Sequence, residues 1–84
     1  MQKLTAEQIA DYLCNTADMT VAICKAHIAG SQESTTLALE IHLILQDEFD
    51  EAVAFDIIAK ACSIILNDPH TVLYVMPLLT KEVA

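Results

Sequence analysis

Hydrophobic and polar positions alternate at helical spacing from the start of the chain. In "LTAEQI", Thr5 stands where a helix N-cap is expected. Gln8 three residues on completes a capping box, and Leu4 and Ile9 supply a hydrophobic staple, so a helix is predicted from about residue 6. Gln8, Asp11, Asn15, Asp18 and Lys25 then mark a polar stripe, while Ala10, Cys14, Ala17, Val21, Cys24 and Ile28 follow in steps of four and three on the other side. This pattern predicts one long helix with a seam of small side chains. Gly30, the single glycine, is expected to stop it as a left-handed C′ residue.

Residues 31–35, "SQEST", read as a polar connection. The stretch "STTLALEIHLIL" after it is ambiguous. Counted in twos, Leu37, Leu39, Ile41, Leu43 and Leu45 share one side, as in a half-buried strand. At helical spacing, Leu37, Ile41, Ile44 and Leu45 form one stripe, and Leu39 and Leu43 are left on a second face that needs cover. Glu40 and His42 share a face only in the strand reading, where they form the one acid–base pair worth weighing. In a helix they diverge.

Farther on, "DEFDEAVAFDIIAKACSIILND" reads as a helix whose polar positions Asp56, Lys60, Ser63 and Asn67 step by four, three and four. The rest of it is mostly apolar and makes it the expected core element, anchored by Phe49 and Phe55. Asp47, Glu48, Asp50 and Glu51 then fall at its N-terminal end, where the helix dipole favours each acid by about 0.3–1 kcal/mol. Pro69 ends this helix, and "TVLYVM" beyond it is β-like by propensity.

The fold expected is therefore all-α, a small three- to four-helix bundle in a single domain, 1–84. The alternative is α+β, a short βαβ unit with strands near 35–46 and 71–76. One glycine, abundant Ala and Leu, and few β-branched residues before the last segment favour the bundle.

Composition extends this picture outward. Apolar residues make up 55% of the chain, above the roughly 45–50% of an ordinary domain. A chain this short buries only roughly 60–65% of its unfolded surface, so the surplus points to a partner or a second copy, most simply a homodimer through Leu39 and Leu43. No apolar run approaches the roughly 18–20 residues of a membrane span, and nothing at the N-terminus resembles a signal peptide. A soluble, cytoplasmic protein without membrane contact is expected.

Twelve acids face four lysines and no arginine, for a net charge of −8. Phosphate neutralisation needs cations and base reading leans on arginine, so direct nucleic-acid binding is excluded as an expectation. The acids suit a protein partner with a basic surface. Asp11, Asp18, Glu33, Glu40 and Asp47 are the expected contacts, because each lies on the polar side of its segment.

Cys14, Cys24 and Cys62 are an odd number without a CxxC pair, which argues for a reducing compartment and for small buried hydrophobes. Cys24 and His27 have the spacing of two zinc ligands, but no second pair completes a site. Tyr12 and Tyr74 are candidates for a contact surface. No nucleophile, glycine-rich loop or oxyanion-hole motif accompanies Glu40 and His42, and the ExxH spacing is absent, so neither catalysis nor a cofactor is expected. The function read from the sequence is a small acidic interaction module of the inhibitor, immunity or antitoxin kind. The alternative is a structural or chaperone-like subunit held to a dissimilar partner by an apolar interface.

Overall fold

A computed structural model describes residues 4–69. They form four helices, α1 (Ala6–Asn15), α2 (Thr20–Ala29), α3 (Ser31–Phe49) and α4 (Phe55–Asn67), and the all-α bundle is thereby established. The stretch 35–46 is helix within α3, which removes the first strand of the βαβ alternative. The second, 71–76, and Tyr74 with it, lies outside the described residues. No helix among the described residues is long and apolar enough to cross a membrane.

The start of α1 follows its sequence signal. Thr5 Oγ1 accepts from the Gln8 amide at 3.2 Å, and Gln8 Oε1 accepts from the Thr5 amide at 2.9 Å, closing the capping box. Leu4 packs against the core cluster that contains Ile9.

The single long helix expected to follow is instead broken between Asn15 and Thr20. Asp18 adopts φ 54°, and the amides of Thr16 and Ala17 both donate to the Tyr12 carbonyl while that of Met19 reaches back to Leu13. Asp tolerates left-handed backbone, so the helix is interrupted here without glycine or proline. The expected small-residue seam therefore has no continuous existence. Ile9 and Leu13 carry the core face of α1, and Ile28, the last residue of the seam, is exposed.

Gly30 does end α2, but not in the left-handed helical region. Its φ of 124° and ψ of −172° belong to an extended conformation that is essentially reserved for glycine. The same residue caps the start of α3, so two helices meet with one residue between them. The "SQEST" connection is consequently the first turn of α3. Thr35 and Thr36 donate their hydroxyls to the carbonyls of Ser31 and Gln32 one turn back, and Ser34 Oγ donates across the corner to Ala26 O at 3.1 Å.

The third predicted segment is also divided. α3 runs on to Phe49, Asp50 caps it at φ 53° and ψ 42°, and residues 50–54 turn the chain into α4. That turn is held from both sides. Glu51 Oε2 accepts from the Leu4 amide at 3.1 Å, His42 Nδ1 lies 2.9 Å from Val53 O, and the Val53 side chain is fully buried. α4 ends at Asn67 with Asp68 extended, as a residue before proline must be.

α1 packs mainly on α4 and α2 on α3, with α4 bridging the pairs. Ile9, Leu13, Ile41, Leu45, Val53, Ile58 and Ile65 form the sealed core. Phe49 and Phe55, expected to anchor it, do not. They are 42% and 52% exposed, the first edge-on to Tyr12 at 4.9 Å and the second stacked on His42 at 5.1 Å. Both flank the α3–α4 turn, and the buried member of that turn is Val53.

Candidate partner-binding surface

On α3, Ile41 and Leu45 are fully buried and Leu37, Ala38 and Ile44 half-buried, which fixes the face turned to the core. At 100° per residue the opposite face carries Leu39 and Leu43. They are 50% and 57% exposed, so the outward position inferred for them at helical spacing holds. Among the described residues they belong to a set of exposed large apolar side chains that also includes Ile28, Phe55 and Ile64.

Glu33, Glu40 and Asp47 follow one another at seven-residue intervals on α3, all exposed. Two helical turns separate each from the next, about 10 Å along the axis, and the small drift of a seven-residue repeat keeps them on one stripe. Of the five expected contacts, the structure thus brings three together. Asp11 and Asp18 are exposed as well but belong to α1 and the turn after it, and Asp11 accepts a 2.7 Å hydrogen bond from Asn15 Nδ2.

The expected dipole role of Asp47, Glu48 and Asp50 is overturned. Asp47 and Glu48 occupy the last turn of α3 and Asp50 its C-cap, where the negative end of the dipole disfavours them and no basic residue compensates. Sequence reasoning missed this because it placed the helix start where the helix in fact ends. The carboxylates of Glu48 and Asp47 act, after burial, to push the Tyr12 hydroxyl above its ordinary pKa, so α1 meets this acidic end at Tyr12.

Glu40 and His42 diverge, as the helical reading requires. Glu40 is exposed, while His42 is half-buried. A carbonyl oxygen only accepts, so its Nδ1 carries the proton and donates to Val53 O. No sequence signal foretold that bond, because its acceptor is a backbone atom eleven residues away.

Cys24 is buried and Cys14 and Cys62 half-buried, all as free thiols. Burial raises the pKa of Cys24, with a smaller contribution from Cys14, and that of Cys62. Cys24 and His27 do not share an environment, since His27 is exposed. No group of three potential metal ligands occurs among the described residues.

Among the described residues, two clefts adjoin α3. One, of about 250 Å³, lies between α2, α3 and α4, with Ile23, Leu37, Ile58, Cys62 and Leu66 in its walls. The other, of about 400 Å³, runs between α2 and α3 and is lined by Ala22, Ala26, Ala29, Glu33, Leu37 and Glu40 among others. Neither family models, curated proteins nor solved structures contain a match to this chain.

Proposed function

We propose that this chain is a small acidic protein-interaction module that occupies a basic surface of a partner protein, in the manner of an inhibitor or an immunity- or antitoxin-like binder, and acts without catalysis in the cytoplasm. The observation that carries this reading is the acidic end of α3. Asp47 and Glu48 stand against the helix dipole with no basic residue in that turn. Folding alone gives no reason for such a cluster, and local violations of this kind concentrate at functional positions. A partner's cations would relieve both the mutual repulsion and the unfavourable dipole.

The apolar excess favours a second reading, a structural or chaperone-like subunit held by Leu39, Leu43, Phe55 and Ile64 against a dissimilar partner. The homodimer expected from the sequence would use the same Leu39 and Leu43.

Salt separates the two readings. The acidic protein, immobilised and exposed to extract of its native cells, should retain a basic partner and release it at 0.5 M salt, where the Debye length has fallen to about 4–5 Å. The variant Asp47→Lys/Glu48→Lys should retain less of it. A complex that ignores both salt and the substitutions refutes the electrostatic reading and favours the apolar one.

A further inference from the structure

We propose that the outward ridge of α3, made by Leu39 and Leu43 with Phe55 on one flank and Glu40 and Asp47 on the other, is the seat of a basic amphipathic helix of the partner. This deepens the interaction reading above and rests on it.

Three observations converge on the ridge. Leu39 and Leu43 are neighbours one turn apart and point away from Ile41 and Leu45, the residues that fix the buried side. Phe55 reaches the same side of α3 through its stack on His42, which is itself three residues from Leu39 and adjacent to Leu43. Glu40 and Asp47, three residues before and four after Leu43, adjoin it on one side of the helix, and α3 holds no lysine or arginine.

The acids decide the occupant. Anything that covers Leu43 also takes water from Glu40 and Asp47, and a desolvated carboxylate is costly unless a cation meets it. A second copy of this chain would bring the same two acids to the contact within a chain of net charge −8. A helix with apolar anchors three or four residues apart, and lysine or arginine two turns apart along one side, covers the leucines and pairs with both acids. The α3 ridge and the acidic stripe, which the sequence assigned to separate tasks, are thus one surface.

The test uses a synthetic helical peptide with leucine at i and i+4 and lysines seven residues apart on one flank, followed by fluorescence anisotropy. Saturable binding is expected. It should weaken about tenfold or more for Leu43→Ser, for Phe55→Ser and for Glu40→Lys/Asp47→Lys, each with an unchanged circular dichroism spectrum. Equal affinity of all three variants overturns the ridge.

Other outcomes separate its failure from that of the wider reading. Loss of binding only in Asp11→Lys/Asp18→Lys places the acidic contact on α1 and leaves the interaction reading standing. Equal binding of a peptide with glutamates in place of the lysines removes the electrostatic reading itself. Sedimentation showing that Leu43→Ser merely splits a dimer, with peptide affinity intact, makes a second copy the occupant and refutes the proposal.

Discussion

His42 donates through Nδ1 to the carbonyl of Val53 at 2.9 Å, and by that bond the middle of α3 holds the turn that leads into α4. The imidazole also lies under the ring of Phe55, 5.1 Å away and nearly parallel. Replacing it by alanine removes the bond and the stack together and leaves the Val53 carbonyl without that donor. We expect His42→Ala to lower stability by about 1–2 kcal/mol in urea unfolding, a loss typical of one partly buried hydrogen bond. Unchanged stability would mean that the turn is held by Glu51 and the Val53 side chain alone.

Ile41 and Leu43 are two residues apart and would share a face in a strand. In the helix one is sealed and the other 57% exposed. Ile41→Ala should therefore cost about 2–5 kcal/mol, enough to unfold so small a domain, while Leu43→Ala should stay within about 0.5 kcal/mol. Equal costs, measured by thermal or urea unfolding, would contradict the helix register.

The acids at the end of α3 give a prediction of opposite sign for stability and binding. Asp47→Lys/Glu48→Lys places cations where the dipole favours them, and each change should stabilise the fold by about 0.3–1 kcal/mol at low salt. The same variant should bind the basic partner less well. Destabilisation instead would show that these carboxylates have a structural duty that the dipole argument overlooks.

The buried thiols set a pH dependence. Cys24 and Cys62 titrate above the ordinary thiol value because burial disfavours the thiolate, so the unfolded chain gives up those protons first. Their contribution to stability is complete below the unfolded thiol value, about 8.5, and is lost as pH rises through the higher folded values. The urea midpoint should fall progressively as pH rises above about 8.5, and Tyr12, also shifted upward, adds to the decline only above its ordinary value of about 10. A Cys24→Ala/Cys62→Ala variant should show a shallower decline.

What could be read from the sequence was what local chemistry controls. Thr5 and Gln8 announced the start of α1, Pro69 the end of α4, and the spacing of Leu39 and Leu43 their outward face. The two breaks that were missed share one cause. Asp18 and Asp50 both take positive φ where glycine was the signal being sought, and an aspartate is just as common a residue within a polar stripe. With the break at Asp50 unseen, α3 was cut short and its terminal acids were assigned to the wrong end of a helix. The His42–Val53 bond depends on that turn and was beyond the reach of any pattern.

The corner at Gly30 also bears on the order in which the molecule assembles. With a single residue between them, α2 and α3 meet through contacts close in sequence, whereas α1 reaches α4 only across everything between. Closing a short loop costs less entropy than closing a long one, so the α2–α3 elbow is the natural nucleus and the docking of α1 on α4 the late event. Gly30→Ala, strained at φ 124° although a methyl group there would meet nothing within 4 Å, should chiefly slow refolding. Leu13→Ala, on α1, should chiefly hasten unfolding. The ridge proposed for the partner thus lies on the part of the chain that folds first, and would be in place before α1 closes the bundle.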